Sequence, residues 1–409
     1  MRKLSVLAAL AIGWSSWLCA QAPADEAKKD EPGIAVTSAL VKAKCGGCHR
    51  DDGQGHLTRI SWERTTPEGW QQIIKRMVRL NGLALTPVEA REIVKSLSET
   101  HGLAPEEAKP VAWYWEKRQI ENETLPSDTL RDACAACHPI AQPNSWRRSK
   151  SEWDLLGNMH RGYFPVVEFT SFRRPPRMGA ARPATPPPAV PEKEPFETAL
   201  EHFSKSNTLH TPEWAQWQAA RRVPKLAGRW AVSAYLPGKG KYTGEMIIEA
   251  AGTEDFTART TLASLKTGEK VTRTSKGVVY TGYAWRGRGQ SGPREEREVL
   301  AFSRDQQSAE GRWFWGGYNE FGYDVTLKRA GDGPLLLTTD VFALPTGAKG
   351  VTVKVAGDGL PAGLTPADLD FGSGVTVAAI TAQSSTSLTV KLDVNEKAVI
   401  GKRDVFVRR

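Results

Sequence analysis

The chain has 409 residues, 40% hydrophobic and 25% charged, a composition that suits several soluble globular domains and excludes a membrane-embedded or disordered chain. Its 55 lysines and arginines exceed its 46 aspartates and glutamates by 9. That excess is spread along the sequence without a block of like charges, which argues against a nucleic-acid binder.

The first segment reads as an export signal at 1–22. Met1-Arg2-Lys3 supplies positive charge, Leu4 to Leu18 is apolar, and Leu18-Cys19-Ala20 and Ala20-Gln21-Ala22 offer small residues for cleavage. The apolar run falls short of the roughly 20 residues that span a bilayer. Trp17 and Leu18 before Cys19 do not suit a lipidation site. The expectation is a soluble periplasmic protein with no membrane span and four remaining cysteines.

Those four form two identical patterns. Cys45-Gly46-Gly47-Cys48-His49 and Cys134-Ala135-Ala136-Cys137-His138 both read C-x-x-C-H, the attachment site of c-type haem. Two thiols at this spacing reach the two vinyl groups of one porphyrin edge, and the adjacent histidine falls under the iron. A zinc knuckle would not require histidine at the same place in each motif. Export to an oxidising compartment disfavours bare thiol pairs. Two covalent haems are therefore expected.

The surroundings repeat as well. Ser61-Trp62-Glu63-Arg64, a helix start at Thr66-Pro67-Glu68 and Trp70 to Met77 follow the first motif; Ser145-Trp146-Arg147-Arg148, Glu152 and Trp153 to His160 follow the second. Capping signals at Thr66 and Ser149 and the apolar spacing predict helices, with another from Pro87 to Leu97 closed by Gly102. Residues 30–172 thus read as a helical dihaem cytochrome c domain. Sixth ligands come from few candidates: Met77 for the first haem, and His160 or Met159 for the second, depending on which residues of the two helices are matched. His56 and His101 are weaker alternatives. Met178 lies in a proline-rich stretch, Met246 in a strand pattern, and His202 and His210 beyond the cytochrome region.

Residues 173–224 read as a linker with helices, since 175–195 hold 8 of the 26 prolines and Pro195 to Gln218 is helical in pattern. From 225 to 331 short strands alternate with glycine-rich turns, predicting a β-barrel or sandwich. The predicted strands are Arg229–Leu236, Gly244–Ala250, Phe256–Leu262, Gly277–Ala284, Val299–Phe302, Arg312–Trp315 and Tyr323–Leu327. Trp285-Arg286-Gly287-Arg288 and Trp313-Phe314-Trp315 read as core and hairpin packing, with a sugar- or partner-binding face as the alternative. Residues 333–409 suit an immunoglobulin-like sandwich, with strands at Leu335–Thr338, Gly350–Val355, Gly374–Ile380, Ser387–Val394 and Asp404–Val407. The fold class is multidomain, α then all-β: a helical dihaem cytochrome c domain, an antiparallel β-barrel or sandwich, and an immunoglobulin-like β-sandwich.

These residues carry a resemblance. Arg59-Ile60-Ser61, Thr66-Pro67-Glu68-Gly69-Trp70 with Arg76-Met77, His101-Gly102-Leu103-Ala104-Pro105, Glu152-Trp153 with His160, Pro165, Glu168, and Leu226-Ala227-Gly228-Arg229-Trp230 resemble the α subunit of quinohaemoprotein amine dehydrogenase. The resemblance spans nearly the whole mature chain, although that family's α subunit usually ends with a second immunoglobulin-like domain and its 175–195 region is shorter. It favours His160 over Met159. It implies a β-propeller subunit and a small subunit bearing cysteine tryptophylquinone, which oxidises primary amines to aldehyde and ammonia. Electrons would then pass through the two haems to a soluble periplasmic acceptor, a cupredoxin or cytochrome c. With every mature cysteine used by haem, this chain has no thiol for such a quinone. The other readings are a dihaem c-type electron carrier for another periplasmic dehydrogenase, and a dihaem peroxidase.

Overall fold

The computed structural model describes residues 31–112, 125–135, 137–173, 193–317, 319–331 and 333–408; the expected export signal at 1–22 and Met178 lie outside them. Helices come first, in chain order α1 (Ala39–Cys45), α2 (Pro67–Asn81), α3 (Pro87–His101), α4 (Pro105–Ala108), α5 (Asp128–Leu130), α6 (Ala141–Asn144), α7 (Lys150–Tyr163), α8 (Pro195–Ser206) and α9 (Pro212–Ala220). The expected caps start the two long post-motif helices. Thr66 Oγ1 accepts from Gly69 N at 3.2 Å, and Ser149 Oγ accepts from Glu152 N at 3.3 Å, each satisfying an N–H that the helix leaves without an internal partner.

The Trp-Arg segments ahead of those helices are not mere approaches to them. They form an antiparallel ribbon, β1 (Glu63–Thr65) with β2 (Trp146–Arg148), all six residues buried and Arg64 opposite Arg147. Counted from Thr66 and Ser149, Arg64 and Arg147 are equivalent positions. The repeat therefore pairs with itself about a local twofold axis, and one apolar core gathers both halves: Val41, Trp70, Ile73, Ile93 and Leu97 with Leu130, Ile140 and Trp153. Helix α8, placed with the linker by its sequence position, adds Ala199 and Phe203 to that core.

The ribbon buries charge, which is costly unless each group is paired. Fully buried Arg64 makes two 2.9 Å bonds to Glu107 and donates to the carbonyls of Gly102 and Leu209 at 2.9 and 2.7 Å. Arg147 meets the same Glu107 at 3.2 Å, and Arg148 meets Glu63 at 2.6 Å.

Eight strands then close a barrel in simple up-and-down order: β3 (Gly228–Leu236), β4 (Gly240–Ala250), β5 (Asp255–Ser264), β6 (Lys270–Tyr280), β7 (Ala284–Ser291), β8 (Arg294–Phe302), β9 (Ser308–Trp315) and β10 (Phe321–Arg329), with β10 bonded to β3. Closure removes exposed edges. The expected strand Gly277–Ala284 is corrected here: it straddles a hairpin, because Thr281 and Gly282 turn the chain with φ of 57° and 78°. A strand over 270–280 lacks regular apolar alternation (Arg273 and Ser275 point inward), which hid the eighth strand. Trp285 and Trp313 are fully buried inside the barrel, as core packing requires. Gly277 makes room for that filling, since a Cβ there would stand 2.2 Å from the Trp285 ring.

The last region holds a four-stranded antiparallel sheet and a two-stranded one. The first orders β11 (Leu335–Thr339), β12 (Val351–Asp358), β15 (Ser387–Val394) and β14 (Val375–Gln383); the second pairs β13 (Leu369–Asp370) with β16 (Phe406–Val407). Their inner faces meet over Val353, Leu369, Phe371, Leu388 and Val390. The helical region seats on the barrel through the β6–β7 hairpin: Thr281 N donates to Glu99 at 2.8 Å, Tyr283 Oη to the Leu103 carbonyl at 3.1 Å, and Trp217 Nε1 to the Thr281 carbonyl at 3.0 Å.

Candidate haem sites

The first motif hangs from the end of α1. The turn continues through backbone bonds from Cys48 N and His49 N to the Cys45 carbonyl, at 3.1 and 2.8 Å. Cys45 is buried and Cys48 exposed. The second motif begins in a π-helical turn, Arg131–Ala135, directly after α5; such turns recur at functional positions. All four cysteines are free. Burial, then the neighbouring Cys48, pushes the Cys45 thiol up, and burial alone pushes Cys134 up to about 12. The Cys45 and Cys134 thiols are therefore protonated at neutral pH. Among the described residues no three His, Cys, Asp or Glu side chains converge as a metal cluster.

The imidazoles fall into two sets. His49 Nδ1 bonds the Thr58 carbonyl at 2.9 Å, His138 Nδ1 the Pro139 carbonyl at 3.0 Å, and His160 Nδ1 the Leu156 carbonyl at 2.8 Å. A carbonyl on Nδ1 fixes the proton there and leaves Nε2 as a free lone pair, the tautomer a metal ligand needs. His101 is different. It is fully buried, with Nδ1 on Thr100 Oγ1 at 2.7 Å and Nε2 on the Ile34 carbonyl at 3.2 Å, so both ring nitrogens are used. Burial holds its pKa at about 4. His56 gives its Nδ1 to Asp52 at 2.7 Å.

Helix register places the candidate sixth ligands. Trp70 and Trp153 both stand four residues after their caps, both buried, donating to the His101 and Asn207 carbonyls at 2.9 and 3.2 Å. Met77 and His160 both stand eleven residues after those caps; Met159 is one position, about 100°, off that face. Met77 packs partly buried on the core that contains Cys45 and Cys134. His160 has its pKa lowered, first by burial and then by the nearby charges of His138, Arg148 and Arg76. That interaction brings His160 and His138 to one locale. Met246 fills the barrel core.

Sequence reading missed the charges around this locale. Arg148 lies over the Trp146 ring at 4.1 Å. Its Nε, like that of Arg76 on α2, is buried without a hydrogen-bonding partner among the described residues, which suits a ligand bearing acceptor oxygens. Glu152 bonds Arg59 at 3.1 Å and stands 3.8 Å from Arg148. Burial first, then repulsion from Glu63, raises its pKa to about 7 against the pull of Arg59 and Arg148. The readable signal was the charge carried by the two repeated segments, Glu63-Arg64 and Arg147-Arg148 with Glu152.

A helical domain with two such motif sites, followed by an eight-stranded barrel and a further pair of sheets, defines a multidomain haem-binding protein. The sequence matches three family patterns in order: quinohemoprotein amine dehydrogenase A, alpha subunit, haem binding, at 35–199; alpha subunit domain II at 224–330; and alpha subunit domain III at 342–408. The chain belongs to the family of quinohemoprotein amine dehydrogenase alpha subunits. No curated protein matches it. Among solved structures it is similar to a redesigned β-barrel (14% identity, TM-score 0.23, covering 26% of this chain and 92% of that one). It is also similar to a de novo designed fluorescence-activating β-barrel (19% identity, TM-score 0.22, covering 25% and 93%).

Proposed function

We propose that this chain is the electron-transfer subunit of a periplasmic quinohaemoprotein amine dehydrogenase. It would take electrons from a quinone in a partner subunit, released as primary amines become aldehyde and ammonia, and pass them to a soluble cupredoxin or cytochrome c. The observation that carries this reading is the pair of C-x-x-C-H sites on two halves related through the β1–β2 ribbon, within a chain of the amine dehydrogenase family.

Cys45 and Cys48 would hold one haem and Cys134 and Cys137 the other, with His49 and Met77, and His138 and His160, as axial ligands. Haem bound in this way supplies one-electron redox chemistry, with a higher potential for His/Met than for His/His ligation. The chain's own residues do the rest. Backbone carbonyls of Thr58, Pro139 and Leu156 orient the three imidazoles. The apolar core around Trp70 and Trp153 excludes water. Arg76 and Arg148 offer buried donors to carboxylate groups. With these four cysteines committed, none is left among the described residues for a cysteine tryptophylquinone, which fits a quinone-bearing small subunit beside a β-propeller subunit. The last region we read as immunoglobulin-like.

Purified subunit should carry two haems that resist acid–acetone extraction, and dithionite but not a primary amine should reduce them. Adding the propeller and quinone subunits should make them reducible by amine. Replacing Cys45 and Cys48 should leave one haem. Retention of both, or amine reduction by the subunit alone, would overturn the reading.

A further inference from the structure

A cleft of about 770 Å³ separates helices α2 and α3 from the outer face of strands β5 to β8. Its lining includes the apolar Ile74, Val94, Phe256 and Tyr280. Its walls carry cations from both domains: Lys75 and Arg91 on the helical side, Lys276 and Arg288 on the barrel side. All four are exposed, and none of their side chains has a hydrogen-bonding or ion-pairing partner among the described residues. The carboxylates of the cleft are largely spent. Glu68 is paired with Arg286, and Glu298 with Arg273; Asp255 at the rim is the exception.

Unpaired cations contributed by both domains repel one another, and an anion between them would relieve that repulsion. The cleft also continues, through shared Thr257, Lys276, Arg288 and Arg297, into a second hollow of about 650 Å³ that reaches Trp315; there Glu296 is paired with Arg273 and Arg294, while Glu249 and Glu295 are exposed beside Arg259, Lys276, Arg288 and Arg297. Together the two hollows exceed a small organic anion and suit a protein surface. Lys75 stands two residues before Met77 on α2, so an occupant of the cleft lies against the helix that carries one proposed axial ligand.

We propose that this interdomain cleft is the docking surface for an acidic face of the soluble protein that accepts electrons from this chain. The inference rests on the electron-transfer reading above. Complementary charge of this kind acts mainly on the association rate and is weakened by salt.

The test uses the full holo subunit, first shown to contain two haems and to be reduced by dithionite; failure there removes the electron-transfer reading and not the cleft. Reduced protein is then oxidised by hexacyanoferrate(III), an anion, and separately by tris(phenanthroline)cobalt(III), a cation. Charge reversal in the Lys75→Glu/Arg288→Glu double variant should slow the anionic oxidant about tenfold or more and speed the cationic one. Lys402→Glu, on the exposed surface of the last region, should change neither. A decaglutamate peptide should inhibit the anionic reaction of the wild type in low salt and leave the double variant unaffected. Equal rates for wild type and double variant, or no inhibition by the peptide, would overturn the proposal. Citrate inhibiting as well as the peptide at equal carboxylate concentration would also overturn it, in favour of a small-anion site.

Discussion

Glu152 is the residue whose environment most changes its chemistry. Its carboxyl is buried, faces Glu63 on the ribbon, and is held by Arg59 at 3.1 Å and Arg148 at 3.8 Å. Its pKa of about 7 lies above the ordinary carboxylate value, so the folded chain holds this proton more tightly than the unfolded one. The stability it contributes is complete below the ordinary value and is lost as pH rises through about 7. Melting temperature should therefore fall between pH 5 and pH 8 in the wild type and fall less in Glu152→Gln. Parallel pH profiles for the two proteins would show that another group titrates. Glu107 behaves oppositely: burial pushes its pKa up, but the hydrogen bonds and charge of Arg64, with Arg147, bring it below the usual range. The ribbon arginines therefore face one carboxylate whose pKa is raised, Glu152, and another whose pKa is lowered, Glu107.

At the level of elements, the two capped helices α2 and α7 place the proposed ligands by counting. Eleven residues after the cap is the same face in both, which assigns Met77 and His160 as counterparts although their chemistry differs. Met77→Ala in the holo subunit should abolish a sulfur-to-iron charge-transfer band in the far red and alter one haem. His160→Ala should change the spectrum of the other. If His160→Ala leaves both haems unchanged, Met159 takes the role. Gly157 on α7 lets α8 pack closely, because a Cβ there would come within 2.3 Å of the Phe196 ring on α8. The glycine lets α8 press on the helix that carries His160. The repeat was legible in the sequence as two Trp-Arg segments and two helix starts. Their pairing into a ribbon was not, because the partners lie more than eighty positions apart and a three-residue strand has no periodicity to read.

Across the whole molecule, the helical domain and the barrel meet at a charged and aromatic seam. Arg286 on β7 pairs with Glu68 in the first turn of α2, with one contact at 3.1 Å, and Lys95 meets Glu254 at 2.6 Å. Arg286→Met leaves the Glu68 carboxylate buried without its partner and should destabilise the protein by roughly 3 kcal/mol. Glu68→Gln with Arg286→Met removes both charges and should recover most of that loss in thermal unfolding. A double variant no more stable than Arg286→Met would mean the seam is held by packing around Tyr283 and Trp217. The same seam walls the basic cleft, so domain seating and the charge presented to a partner are set together.

The sequence by itself determined what depends on neighbours along the chain. Two haem-attachment motifs, the helix caps at Thr66 and Ser149, most of the alternating barrel strands and the ordered family signatures are all local patterns, and local patterns survive in one dimension. Tertiary structure alone decided what depends on distant residues meeting. It used both ring nitrogens of His101 and left Nε2 free on His160, it split Gly277–Ala284 across a hairpin, and it buried Arg64 against Glu107. Hydrogen-bond saturation, burial of charge and barrel closure are properties of surroundings in space, and no spacing along the chain encodes which surroundings a residue will find.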